Sequence, residues 1–186
     1  MIMRVIAGEK RHLLLKTLND LSIRPTTDKI KETLFNMIHF EIPGKNFLDL
    51  FAGSGAIGIE ALSRGASKAT FVDNNDKAIR VINENLEHTG LVDRAKVIKG
   101  DAGLSLENLS RENESYGIVF MDPPYDKGLY RPVFEKLSKS NLIDENSIII
   151  LEVGLKDDAD GIEELGFVKT KIKKYKSNKH IFYKKA

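Results

Sequence analysis

The chain has 186 residues, 41% of them hydrophobic and 30% charged, which is the balance of one folded domain of ordinary size, and its formal net charge is only +2. It contains no cysteine, which excludes disulfides, thiolate metal sites and a cysteine nucleophile. No apolar run approaches membrane-spanning length and the segment Met1 to Glu9 lacks the apolar core of a signal peptide, so a cytoplasmic protein is expected.

The charge is unevenly placed. Residues 1–31 hold seven Lys and Arg against three Asp and Glu, residues 169–186 hold eight lysines and no acid, and the middle carries the negative excess. Basic ends on an acidic body suit contact between the termini and a polyanion, with a solvated lysine-rich strand pair as the plainer reading of the C-terminal lysines.

Met3 to Ala7 alternates weakly and Leu13 to Leu18 is apolar, which predicts a short N-terminal hairpin or arm. Arg24-Pro25-Thr26-Thr27-Asp28 then reads as a helix start, with Thr27 or Asp28 as cap and Ile30, Leu34, Phe35 and Ile38 on one face, ending before Pro43-Gly44. From here strands alternate with helices. Phe47 to Leu50 is strand one, Ala56 to Arg64 a helix closed by Gly65, Ala69 to Asp73 strand two, and Lys77 to His88 a helix stopped at Gly90. Lys96 to Ile98 is strand three, Gly103 to Leu109 a short helix, Ile118 to Met121 strand four, Tyr130 to Leu137 a helix and Ile148 to Leu151 strand five. Ile162 to Leu165 begins a last helix, and Lys169 to Tyr175 with His180 to Tyr183 forms an edge strand pair. The pattern predicts one domain, an α/β protein with a mainly parallel sheet, helices on both faces and an antiparallel C-terminal edge.

Two motifs lie just past the carboxyl ends of strands, where open α/β sheets bind ligands. Gly53-Ser54-Gly55-Ala56-Ile57-Gly58 matches G-x-G-x-x-G between a strand and a helix, and Asp73 about 20 residues on is placed to accept from two ribose hydroxyls. This fits a dinucleotide or S-adenosylmethionine. Asp49 ahead of the glycines disfavours a pyrophosphate and suits an ammonium group, while Asp101 could meet an adenine amine or simply cap a helix.

Asp122-Pro123-Pro124-Tyr125 is the second motif. An amine on an aromatic ring is a poor nucleophile because its lone pair is delocalised, and holding both N–H bonds on acceptors improves it. The Asp122 carboxylate and the Pro123 carbonyl, aimed by the restriction that Pro124 imposes, are two such acceptors, and Tyr125 offers a face for a base. Alone, the same four residues read as a surface turn. Amine methylation needs no cysteine adduct, unlike methylation at pyrimidine C5. The four histidines, His12, His39, His88 and His180, show no metal-ligand spacing, and no metal is expected.

The residues resemble the RsmD family, bacterial enzymes that methylate a guanine N2 in 16S ribosomal RNA. The likeness rests on Arg4-Val5-Ile6-Ala7-Gly8, on Arg24 to Asn36, on Leu48 to Gly55, on Glu60-Ala61-Leu62-Ser63-Arg64-Gly65 and on Asp122 to Tyr125. It implies a Rossmann-like class I methyltransferase fold with a seven-stranded sheet and a short N-terminal arm. It also implies S-adenosylmethionine held by Thr26, Asp49, Phe51, Ala52, Gly53, Ser54, Gly55, Asp73, Asn74, Asp101 and Ala102, and a guanine held by Asp122, Pro123, Pro124 and Tyr125. RNA would meet Arg4, Lys10, Arg11, Lys16 and Arg24, and a monomer acting on a small-subunit particle is expected. The arm departs from the family pattern, since Glu9-Lys10-Arg11-His12 is followed by Leu13-Leu14-Leu15 where glycine and arginine are common. The leucines could pack on the domain or meet a ribosomal protein. Adenine N6 methylation, a dinucleotide oxidoreductase and a non-catalytic RNA binder are the alternatives.

Overall fold

A computed structural model describes residues 3–18, 28–125 and 128–186. Its centre is a seven-stranded sheet in the order β5-β4-β3-β6-β7-β9-β8. The strands are β3 (Asn46–Leu50), β4 (Lys68–Asp73), β5 (Ala95–Lys99), β6 (Ile118–Met121), β7 (Ile148–Gly154), β8 (Phe167–Lys174) and β9 (Asn178–Lys185). β3 to β7 pair in parallel, and β9 runs antiparallel between β7 and β8. The chain leaves β3 toward β4 and β5, then returns to its other side for β6 and β7. That reversal is a topological switch point, and it opens a crevice past the carboxyl ends of β3 and β6.

Alternation along the strands supplies two cores. Phe47, Phe71 and Phe120 face a layer of α1 (Asp28–Met37), α2 (Ala56–Ser63) and α3 (Asp76–Thr89), whereas Leu48, Leu50, Val119 and Met121 face α4 (Ala102–Arg111) and α5 (Tyr130–Ser138). Every residue of α2 is buried, so its lack of a polar face follows from cover on both sides: the sheet beneath and the N-terminal arm above. Gly58 makes the sheet side possible, because a Cβ there would come 2.3 Å from the Phe71 ring.

The arm is a hairpin of β1 (Met3–Arg4) and β2 (Leu14–Leu15). Its backbone is bonded to α2 side chains: Ile6 and Ala7 N–H donate to the Glu60 carboxylate at 2.8 and 3.0 Å, and Lys10 N–H donates to Ser63 Oγ at 3.0 Å. Gly8 permits the approach. Its φ is +86°, and a Cβ would lie 1.8 Å from the Ser63 carbonyl. Of the three leucines, Leu15 is buried and Leu13 packs on the same core, leaving Leu14 exposed, so two of them do pack on the domain.

The expected last helix is corrected to a single 3₁₀ turn, Glu163–Leu165. Gly161 and Gly166 both take positive φ, and the four residues between them are too few to nucleate an α-helix. Asn75 caps α3 by accepting from Lys77 N–H at 2.8 Å, and Gly90 ends that helix in the left-handed region.

Candidate functional site

The strand registers bring the two motifs to one level. Leu50 is level with Val72 on one side and Met121 on the other, and Met121 is level with Leu151. One residue further along each strand stand Phe51, Asp73, Asp122 and Glu152, delivered side by side by four adjacent strands. The first three border a cavity of about 500 Å³, a size suited to a cofactor together with part of a second substrate, and Glu152 lies behind it.

On the β3–β4 side, the loop after β3 is wound tightly. Phe51, Gly53 and Gly55 all have positive φ, at 62°, 57° and 76°, and Phe51 takes it despite its side chain, the kind of local strain that ligand loops hold. Asp73 braces the loop: its Oδ2 accepts from Gly53 N–H at 2.8 Å and its Oδ1 from Asn75 N–H at 2.9 Å. Each oxygen keeps a further lone pair for a ligand. Asp49, Phe51, Ala52, Gly53, Ser54, Asp73 and Asn74 line the cavity, whereas Gly55 shapes the turn behind it.

Asp49 is buried beneath the loop, with one oxygen accepting from Gly58 N–H at 2.9 Å. Burial pushes its carboxyl well above the usual carboxylate range, with Asp73 adding like charge, against the opposing pull of the Gly58 amide. Asp101 and Ala102 stand at the start of α4. Asp101 caps that helix by accepting from Leu104 N–H at 3.0 Å, and neither residue is among those that line the cavity.

On the β6 side, Asp122, Pro123, Pro124 and Tyr125 all line the cavity. Burial raises the Asp122 carboxyl well above its ordinary range, and the nearby charges of Glu152 and Asp49 add to the effect. Tyr125 is 39% exposed at the mouth, with its hydroxyl donating to Glu152 Oε1 at 3.1 Å. Glu152 is itself buried and holds His180 Nε2 at 2.8 Å and the Asn178 amide, while Tyr175 hydroxyl meets His180 Nδ1 at 3.0 Å.

Of the expected RNA residues, Arg4 and Arg11 are exposed on the arm, Lys10 is half-buried there, and Arg4 pairs with Asp28 at 3.1 Å and Lys16 with Glu84 at 2.8 Å. Thr26 and Arg24 lie outside the described residues.

Sequence reasoning missed Lys31, Glu60, Glu152 and His180. Lys31 lines the cavity, but its Nζ is engaged by the Arg4 carbonyl at 2.5 Å and Glu60 at 3.2 Å. Glu60 and Glu152 had a signal: each is a lone acid inside an apolar run, Ala56 to Leu62 and Ile148 to Val153, and a buried acid requires partners. His180 had none, because its partner is 28 residues away on another strand.

The lining selects by charge. Three carboxyl groups, Asp49, Asp73 and Asp122, face the cavity, and the cation Lys31 is already paired, so the site disfavours a pyrophosphate and favours a ligand carrying positive charge. S-adenosylmethionine, with a sulfonium and an ammonium group, fits that set; a dinucleotide does not. Among the described residues no group of three or more His, Cys, Asp or Glu could hold a metal ion, and no helix is long and apolar enough to cross a membrane.

Comparison with known proteins agrees. A family model described as Conserved hypothetical protein 95 matches residues 3–184. The chain is 40% identical over 150 residues to YlbH of Bacillus subtilis, a candidate rRNA methyltransferase, covering 81% of this chain and 82% of that one. It is 34% identical over 149 residues to Ribosomal RNA small subunit methyltransferase D of Haemophilus influenzae, covering 80% and 77%. Among solved structures, yhhF of Escherichia coli, a candidate methyltransferase, superposes with a TM-score of 0.82 at 28% identity, covering 100% of this chain and 98% of that one. With the sheet order, the acidic cavity at the switch point and this likeness over nearly the whole length, the chain has the class I methyltransferase fold and belongs to the RsmD family of ribosomal RNA methyltransferases.

Proposed function

We propose that the protein transfers the methyl group of S-adenosylmethionine to the exocyclic N2 amine of a guanine in small-subunit ribosomal RNA. The observation that carries this reading is the meeting of Asp122 and the glycine loop in one cavity, from adjacent strands in register. The choice of RNA is supported by the name of the Haemophilus influenzae relative, a ribosomal RNA small subunit methyltransferase.

When bound, S-adenosylmethionine supplies an electrophilic methyl group on a sulfonium centre. Asp73 would hold the ribose hydroxyls, Asp49 the ammonium end, and the backbone from Phe51 to Ser54 the body of the molecule, with Asn74 and Thr26 as further contacts. Asp122 accepts one N–H of the amine and the Pro123 carbonyl the other, so the nitrogen is held in place as its lone pair turns out of conjugation. Pro124 keeps Pro123 extended, and Tyr125 stacks on the extruded base. The N–H donors and a cationic cofactor draw Asp122 to its ionised form in the complex. Once the methyl group and its positive charge have left the sulfur, the proton affinity that burial raises in Asp122 fits it to take the proton that the amine sheds.

A monomer acting on an assembled small-subunit particle in the cytoplasm is the arrangement we favour. The test uses small subunits from cells lacking the protein, incubated with labelled S-adenosylmethionine. The wild-type chain should place label on guanine N2, and Asp122→Ala should lose about 100-fold or more in kcat, the scale of removing one positioned partner of developing charge, with cofactor affinity nearly kept. Label on adenine N6, or near-normal turnover by Asp122→Ala, refutes the reading.

A further inference from the structure

The C-terminal hairpin reaches the same crevice from the far side. Glu152 is level with His180 and Gly154 with Asn178, so the turn between β8 and β9 lies at the carboxyl end of β7, the end at which the cavity opens. The Tyr125 ring is in reach of it: a Cβ on Gly154 would lie 3.9 Å from Tyr125 Cδ2. A hydrogen-bond chain then runs from Tyr125 through Glu152 and His180 to Tyr175 at the base of the turn. The turn is thereby fixed relative to the residue on which the base is to stack.

That turn is basic. Lys173 and Lys174, the last residues of β8, lead into it and Lys176 lies on it; all three are exposed, and among the described residues none of them forms an ion pair. The neighbouring lysines differ: Lys179 is paired with Asp158, and Lys169 with Glu163 at 2.9 Å. Asp158, the acid that senses Lys174, is thus already engaged. Thr17 and Leu18 of the arm also line the cavity, directly after Lys16, which is exposed and paired with Glu84.

We infer that the β8–β9 turn is a second RNA-holding surface, on which Lys173, Lys174 and Lys176 bind the phosphates flanking the target base while that base stacks on Tyr125. The inference rests on the proposed function. Lysines on an edge strand also discourage edge-to-edge pairing, but that role is served along the whole of β8 and gives no reason for Lys176, which lies beyond the strand.

The test is the triple variant Lys173→Gln, Lys174→Gln, Lys176→Gln, compared with Lys184→Gln, Lys185→Gln at the opposite end of the hairpin, where Lys185 is level with Phe167. Methyl transfer to undermethylated small subunits is measured across a range of KCl concentrations, with binding of naked small-subunit ribosomal RNA measured separately by filter retention. In the turn variant KM for the particle and Kd for RNA should rise about tenfold or more, and kcat should stay within about twofold. The salt slope of log Kd should fall by about 2, since each phosphate no longer neutralised removes about 0.7–0.9. The control variant should change little, and both should bind S-adenosylmethionine as the wild type does. Unchanged RNA affinity in the turn variant, or an equal loss in both variants, overturns the inference. If the wild type binds RNA and cofactor but transfers no methyl group, the proposed function fails, and the RNA affinities of the two variants still decide the role of the turn.

Discussion

Glu60→Ala removes the residue on which the N-terminal arm is anchored. The Glu60 carboxylate is fully buried and accepts from Ile6 N–H at 2.8 Å, Ala7 N–H at 3.0 Å, Arg64 Nε at 2.7 Å and Lys31 Nζ at 3.2 Å. Breaking a buried pair by deleting one partner costs about 3–5 kcal/mol, because the other charge is stranded. Burial already lowers the pKa of Lys31, and Glu60 is the main group holding it up. Two stranded amides would add about 1–3 kcal/mol each, bringing the sum to about 5–11 kcal/mol, as large as the whole stability of an ordinary domain. Release of the arm is the cheaper path, since the amides and the ammonium then regain water. The expected loss is therefore about 3–5 kcal/mol by urea denaturation, with amide exchange accelerated across residues 3–15 and not in β3 or β6. Cofactor affinity should fall as well, because Met3 and Lys31 line the cavity. Adding Lys31→Met to a Glu60→Leu variant should recover part of the stability by removing the stranded charge. A loss under about 1 kcal/mol, with the Ile6 and Ala7 amides still protected, refutes the reasoning.

Glu152→Gln weakens the grip on Tyr125 and His180; kcat/KM should fall about tenfold, Tyr125→Phe should reproduce most of that loss, and the double variant should add little, as a double-mutant cycle will report. Asp49 and Asp122 have raised carboxyl pKa values, so the stability that their neutral forms lend the ligand-free chain is fully present below about pH 4 and lost as pH climbs through the raised values. A cationic ligand favours the ionised forms, so the thermal shift given by S-adenosylmethionine should grow with pH over that interval and that of uncharged-sulfur S-adenosylhomocysteine should grow less; equal growth removes the electrostatic account. Gly58→Ala drives a methyl group into Phe71 and should cost about 1–3 kcal/mol in denaturant, with a weaker cofactor complex because α2 shifts away from the loop.

The sheet and both motifs were legible because they are local: apolar runs closed by Gly53, Gly65, Gly90 and Asp122 carry their own boundaries. The final 3₁₀ turn was not, because Ile162 to Leu165 has helical spacing over a single turn, and only the left-handed Gly161 and Gly166 cut it short. What the sequence hid was pairing at long range. Nothing near Lys31 in the chain announces Glu60, and nothing near His180 announces Glu152, since each contact depends on how separate elements stack. Asp101 shows the converse limit, for a carboxylate ahead of a helix reads alike as cap and as ligand, and its bond to Leu104 is a cap.

Because the residues that would grip the donor come from β3 and β4 and those that would grip the target amine follow β6, the two tasks are written in separate stretches of chain, one before residue 80 and one after residue 117. Exchanging the loop that follows β6, together with the C-terminal ribbon behind it, offers a way to redirect the methyl group to another amine without disturbing how its source is held.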